Sequence, residues 1–489
     1  MSDVPPLNRR DLLGAAGALT TIGAASGAAA RPAPAQETYA TVAELTVALS
    51  SKTVSAVELA DAAIARIEAI DPKINAVIAR DFERGRAAAK EADAARARGE
   101  TKPLLGIPMT VKEAINVAGL HTTWAFPPFK DFVAQEDAVA VERLKAAGAV
   151  ILGKTNTPVM LADWQTDNPL FGRTNNPYDV TKTPGGSSGG GAAAVASGMV
   201  PLEMGTDMGG SIRVPAAFCG IYGLKPTFNI IPMRGVKPPP APDGAGMPLT
   251  VLGPLARCAA DLETALHVLA GTYAMEATGY RLELPKARHE ALKDYRVLVL
   301  DQHPETLTDD EVKGAVHAVA ERLTKRGAQV AYKSDLLPDL MKVVQTFVKI
   351  IGIAMARGNP ASNVKASAFD WMDLMDEQFR IRRQWAALFR NFDIVLAPAF
   401  GTPAFTHDDK AMEHPFLVNG KPVDYQTQGA FATMAGLGNL PATVAPVGMT
   451  KGGLPIGLQI IGPYLEDRTT IGFAKLLEQE FGGFVPPKL

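Results

Sequence analysis

The chain has 489 residues, 47% hydrophobic and 20% charged, with a formal net charge of −2. Such a composition supports an ordinary globular core and gives no reason to expect nucleic acid or an acidic membrane surface as partner. Two cysteines, Cys219 and Cys258, and seven scattered histidines, of which only His407 and His414 lie close, offer neither a disulfide framework nor a zinc pattern, so no metal and no cofactor are expected.

The N-terminus differs from the rest. Asn8-Arg9-Arg10-Asp11-Leu12-Leu13 precedes a mild apolar run, Gly14 to Ala30. A basic start, a short apolar stretch and a small-residue site, Ala28-Ala29-Ala30 or Ala33-Pro34-Ala35, describe an export signal, and the paired arginines resemble the twin-arginine type. Residues 1–36 are therefore expected to be a leader, residues 37–489 the body, and the mature chain periplasmic or extracellular. The run is too short and weakly apolar to stay in a bilayer, so no stable membrane insertion is expected.

In the body, Thr41-Val42-Ala43-Glu44 and Ser55-Ala56-Val57-Glu58 read as capping boxes. The second opens a helix with Leu59, Ala63, Ile67 and Ile70 on one face, expected to stop at Asp71-Pro72. A charge-laced helix follows over 81–98, stopped by Gly99. Ile107–Val111 reads as a strand with Lys112 at its end, Glu136–Ala147 as a helix and Ala149–Leu152 as the next strand. Residues 148–155 also match the phosphate-binding pattern GxxxxGK[ST]. Their central Ala-Val-Ile-Leu belongs in a buried strand, and Asn156-Thr157-Pro158 breaks the chain where that pattern needs a helix, so the match is chance.

Residues 183–213 are the unusual stretch. Gly185-Gly186-Ser187-Ser188-Gly189-Gly190-Gly191 and Gly209-Gly210-Ser211 are two glycine-flanked serine clusters separated by a compact helix (Ala192–Ala196) and a short buried strand (Val200–Met204). Loops clamped between packed elements, with glycines that allow close backbone approach, are suited to turning N–H groups on an anion or a developing oxyanion. Residues 225–256 are rich in Pro and Gly and are expected to form a loop over the site. Beyond them, helices alternate with apolar strands at 296–300, 328–331 and 393–397, a pattern that favours an α/β/α sandwich. The segment 339–391 reads as helical and is expected to shape an entrance.

The pieces PGGSSGG, GTDMGGSIRVPAAFCG and GLKPT, with GIPMTVKE at 106–113, TDNPLFGRTNNP, VLGPLAR and GLPIGLQIIGP, resemble the amidase signature family from about residue 40 to the C-terminus. The resemblance implies one large α/β unit, an α/β/α sandwich around a central mixed twisted sheet, although length alone would allow about three domains. It implies a Ser–cis-Ser–Lys triad: Ser211 as nucleophile, Ser187 as bridging serine behind a cis peptide bond, and Lys112 as base. Lys112 would have to be buried to lose its proton near neutrality. The oxyanion donors are expected to be the backbone N–H groups of Met208, Gly209, Gly210 and Ser211, with Ser188, Thr206, Asp207 and Arg213 tying the loops together. Gly191 stands where many relatives carry a larger or hydroxylated residue.

The expected activity is that of a stand-alone amidase acting on small-molecule amides, aryl or medium-chain acyl ones, with esters or carbamates as related substrates, in a monomer or homodimer. Trp124, Phe126 and Phe129 are the expected apolar pocket wall. Two catalytic alternatives are a glutaminase subunit of a tRNA-dependent amidotransferase, against which the export signal argues, and an α/β-hydrolase-type esterase using Ser188 through its GxSxG. The latter needs a strand directly before the serine, where the sequence has turns. A catalytically dead binding protein is the third, opposed by intact Lys112, Ser187 and Ser211. Ser362-Asn363-Val364-Lys365 matches S-x-x-K without companion motifs.

Overall fold

The computed structural model describes residues 38–239, 244, 246–356 and 362–489. The expected leader, its arginine pair and its cleavage points lie outside the described residues. Both capping boxes form, at the heads of α1 (Val42–Ser50) and α2 (Ala56–Ile74). α2 does not stop at Asp71-Pro72 but continues to Ile74. Pro72 falls in the last turn and forfeits only its own bond to the carbonyl four residues back, and buried Asp71 accepts the N–H groups of Ala76 and Val77 just beyond the helix.

β1 (Val77–Arg80), a strand the sequence reading did not include, comes next, and α3 (Phe82–Ala97), β2 (Pro108–Lys112), α4 (Val139–Ala146) and β3 (Val150–Thr155) follow much as read. β3 runs on through Gly153 and Lys154, and Lys154 is buried with its Nζ donating to Thr122 Oγ1 at 2.7 Å. The phosphate-loop pattern is thus a strand, as its residues imply. Next come α5 (Gly189–Ala196), β4 (Leu202–Asp207), α6 (Arg213–Phe218), β5 (Tyr222–Lys225), β6 (Val251–Ala256) and α7 (Ala259–Leu269). β6 corrects the expectation of a loop through residue 256: despite Gly253 and Pro254 it is fully buried and paired along its length with β4.

The second half supplies β7 (Arg296–Val299), α8 (Asp310–Lys325), β8 (Gln329–Ala331), α9 (Leu340–Ala356), α10 (Ala368–Leu388) and β9 (Ile394–Pro398). A small hairpin, β10 (Phe416–Val418) with β11 (Lys421–Val423), precedes α11 (Ala430–Leu437), β12 (Ala442–Met449), β13 (Pro455–Ile461) and α12 (Asp467–Phe481). Among the described residues, eleven strands form one mixed sheet in the order β1-β3-β2-β4-β6-β5-β12-β13-β9-β7-β8. Successive residues on a strand face opposite ways. Val444 of β12 packs at Gly457 beside Ala217 of α6, whereas Thr443 meets Thr470 of α12 at 2.8 Å. Helices therefore cover both faces, which makes the architecture the expected α/β/α sandwich.

Three neighbouring strands matter most. β3 and β4 each run parallel to β2, so Thr155, Lys112 and Asp207 all end at the same edge of the sheet. The carboxyl ends of parallel strands are where open α/β sheets gather their ligands.

Candidate active site

Lys112 is fully buried at the end of β2, and its Nζ donates to Ser187 Oγ (2.7 Å), Ser188 Oγ (3.0 Å) and Thr206 Oγ1 (2.8 Å). Among the described residues it makes no ion pair. Burial pulls its pKa down to about 7, against the opposing charges of Asp207, Glu203 and Glu113. The peptide bond between Gly186 and Ser187 is cis. Gly186 must be glycine, because a Cβ there would lie 2.5 Å from the carbonyl oxygens of both Asp163 and Gln165. Thr157 Oγ1 donates to Ser187 O at 2.9 Å and Thr166 Oγ1 to Gly185 O at 2.8 Å, fixing the loop from both sides.

Ser188 is placed differently from its neighbour. Its hydroxyl accepts from Lys112 and donates to Thr206 O at 3.2 Å, and the residue is fully buried. Its proton is engaged with a carbonyl rather than with a base. Ser188 N also donates to Ser211 O at 3.0 Å, which draws the two serine clusters together.

Ser211 is half-buried, on a loop held by a buried ion pair. Asp207 Oδ1 accepts from Gly210 N (2.9 Å) and Oδ2 from Ile212 N (3.0 Å) and Arg213 N (3.2 Å). Arg213 grips the same carboxylate through Nε and Nη2, at 3.1 and 2.9 Å, while Nη1 reaches Ala432 O and Gln459 Oε1. Burial would raise the Asp207 pKa, but the Arg213 charge and hydrogen bonds outweigh it and hold the carboxyl well below the usual range. One expectation is corrected here. The Gly210 N–H is bound to Asp207, whereas the N–H groups of Met208, Gly209 and Ser211 are unpartnered among the described residues.

The expected pocket wall also changes. Trp124 is only 7% exposed and belongs to the main core, its backbone N–H held by Glu113 Oε2 at 2.9 Å. Phe126 and Phe129 pack edge-on against each other, with centroids 5.1 Å apart, on a single 3₁₀ turn. The aromatic groups that do reach the serine loop come from elsewhere. Trp164 Nε1 donates to Gly209 O at 2.9 Å, and the Phe347 ring of α9 lies 3.6 Å from where a Gly209 Cβ would stand. Neither is among the residues expected from sequence: Phe347 lies on α9, more than a hundred residues from the serine clusters, and Trp164 sits just outside the TDNPLFGRTNNP piece. Lys365, of the S-x-x-K match, is exposed, and among the described residues no cluster of His, Cys, Asp or Glu could hold a metal.

Comparison with known proteins agrees with this geometry. The family described as Amidase matches residues 58–362 and 342–471. The chain is 34% identical to a glutamyl-tRNA(Gln) amidotransferase subunit from Roseiflexus castenholzii, over 88% of this chain and 94% of that one. A solved bacterial aryl acylamidase of the amidase signature family superimposes with a TM-score of 0.76 at 26% identity, covering 90% of this chain and 96% of its own. An inhibitor-bound structure, from a study of a vestigial protein complex and the origins of an s-triazine catabolic enzyme, gives 0.80 at 29%, covering 92% and 100%. A lysine and paired serine loops at the ends of parallel strands, within matches that span most of the chain, lead to one conclusion: this protein belongs to the amidase family, enzymes that act on C–N bonds.

Proposed function

We propose that the protein is a stand-alone serine amidase that hydrolyses aryl or medium-chain acyl amides, and related esters or carbamates, through an acyl-enzyme on Ser211. The observation that carries the reading is Lys112: a fully buried lysine without an ion-pair partner among the described residues, touching three hydroxyls. A neutral amine can donate two hydrogens and accept one. Ser188 already donates to Thr206 O and must accept from Lys112, which leaves Ser187 and Thr206 to face the lone pair; in this scheme it takes the proton of Ser187, the serine that the family resemblance implies as the bridge.

In that scheme Ser187 in turn removes the proton of Ser211 as Ser211 Oγ bonds to the substrate carbonyl carbon. The N–H groups of Met208, Gly209 and Ser211 receive the oxyanion. When the tetrahedral species collapses, Lys112 returns its proton through Ser187 to the leaving nitrogen, and the C–N bond breaks. Water then attacks the ester, giving its proton along the same path, and the carboxylic acid leaves as Ser211 is restored.

The substrate reading rests on the wall beside Gly209. Phe347, Trp164 and the half-buried Met208 surround it, and the nearby charges, Asp207 and Arg213, are engaged with each other. An amino-acid substrate needs buried partners for its own charges, whereas an acyl or aryl group gains about 0.8 kcal/mol per buried CH₂. The rival reading, a glutaminase subunit, draws on the amidotransferase relatives. kcat/KM along an acyl-length series of anilides, beside free glutamine and asparagine, separates the two. It should climb with acyl length; a preference for glutamine would reject the substrate assignment. The leader is part of the same proposal: the Arg9-Arg10 pair directs a folded chain out of the cytoplasm, and changing both to Lys should retain it unprocessed. Wild-type protein found only unprocessed in the cytosol would count against export and for the amidotransferase reading.

A further inference from the structure

Glu203 is a fully buried carboxyl on β4 with no part in the scheme above. Its Oε1 accepts from Thr155 Oγ1 at 2.6 Å, while Oε2 has no hydrogen-bond partner among the described residues. Thr155 is on β3 and Glu203 on β4, and β2 runs between them. Flanking strands stand about 10 Å apart across a middle one, so a carboxylate that bridges them must lie over the face of β2. The register says which part of that face. Thr110 is opposite Glu203 and Lys112 is opposite Thr155, and residues two apart on a strand share a face.

Room for this carboxylate comes from α5, which packs on the same face. A Cβ at Gly191 would fall 2.4 Å from Glu203 Cγ and 2.6 Å from both Cδ and Oε1. Gly191 and Glu203 are therefore a matched pair: the absent side chain at 191 is the space the carboxyl fills. α5 itself, Gly189–Ala196, carries no titratable group. On β3 the neighbouring Lys154 turns to Thr122. On β4 Asp207 is paired with Arg213, and just past the end of β2 Glu113 is bound to the Thr123 and Trp124 N–H groups. Glu203 is left as the carboxyl near Lys112 whose charge is not already matched by such partners.

We propose that Glu203 is a positioning residue for Lys112, a carboxylate lodged in the space Gly191 leaves that holds the proton on the amine and so sets the pH at which Lys112 becomes a base. The inference rests on Lys112 being the base for Ser211. Burial pushes the Glu203 pKa up to about 7, against the Thr110 and Thr155 hydroxyls beside the carboxyl and the Lys112 charge, which places the two groups in titration over the same range. The sign follows directly. A nearby carboxylate favours the ammonium, so its removal must let Lys112 deprotonate at lower pH.

The test is the rate of fluorophosphonate labelling of the full chain as a function of pH, a readout that needs no knowledge of the natural substrate. Wild type should give a rate that rises to a plateau, and Glu203→Gln should move the midpoint measurably down, the direction in which loss of a nearby opposite charge shifts an amine. The double variant Gly191→Ala with Glu203→Ala, which refills the space, should move it the same way and carries the test if the amide variant does not fold. A midpoint unchanged in whichever variant folds, with only thermal stability lost, would overturn the proposal. Absence of labelling at Ser211 in wild type would instead reject the underlying triad, so the two failures are distinguishable.

Discussion

Asp207→Asn isolates the device that shapes the nucleophile loop. The carboxylate is wholly buried and accepts from the N–H groups of Gly210, Ile212 and Arg213 and from Arg213 Nε and Nη2. Asparagine keeps the shape but loses the charge, and it turns an amide NH₂ toward donors. Arg213, also fully buried, would be left as an uncompensated cation. Breaking a buried pair from one side costs about 3–5 kcal/mol, roughly two to four orders of magnitude in the folding constant. The measurement is urea unfolding combined with the rate of Ser211 labelling, and both should fall. Replacing both partners, as Asp207→Ala with Arg213→Met, removes the stranded charge and should recover part of the stability. It should not recover labelling, because nothing then holds the loop. Since the Asp207 pKa is depressed, its contribution is complete above the unfolded carboxylate value of about 3.9 and fades only as pH falls through the lower folded value. The single variant should therefore be destabilised at both pH 5 and pH 7, and somewhat more at pH 5, where buried Lys112 is protonated and loses the Asp207 charge that favours its ammonium. A loss under about 1 kcal/mol with wild-type labelling would refute the reasoning.

Three further outcomes follow. Lys112 titrates near pH 7, is an ammonium below that and a base above it, so kcat/KM for any accepted amide should rise with pH through a midpoint near 7; a profile falling over that range would contradict it. Lys112→Ala should lower kcat/KM by about 10²–10⁴, the usual worth of a positioned base, with little change in fold by circular dichroism. Gly191→Ala alone should destabilise by about 1–3 kcal/mol through overpacking against Glu203, and most of that should return when Glu203→Ala is added; purely additive losses in thermal unfolding would show that the two do not share a space.

Much of this site was legible because its parts lie in short, dense segments. The two serine clusters could be read from glycine placement and a buried strand between them, the part of Lys112 came from the resemblance to the amidase signature family, and the geometry brings Lys112 to Ser187 as that resemblance implies. The false phosphate loop was legible too, since Ala149–Leu152 cannot leave the sheet. What was hidden depended on distant chain. Phe347 reaches Gly209 from α9 and Trp164 from a loop, while Trp124, which reads as a pocket aromatic, is drawn into the core. β6 was masked by Gly253 and Pro254, which signal a loop unless the pairing with β4 is known. The Gly210 N–H looked free because nothing in sequence says that Asp207, three residues earlier, turns back to take it. Gly191 stood out in sequence, but its reason lay in Glu203, twelve positions on and across the helix–sheet contact.

The central claim, that Ser211 and not Ser188 is the nucleophile, is tested most directly by locating the adduct. Purified protein is treated with a fluorophosphonate, digested and sequenced by mass spectrometry, in parallel with Ser211→Ala and Ser188→Ala. The modification should fall on Ser211, vanish in Ser211→Ala and persist at reduced rate in Ser188→Ala. An adduct on Ser188 that survives in Ser211→Ala would contradict the triad and assign the chemistry to the other serine.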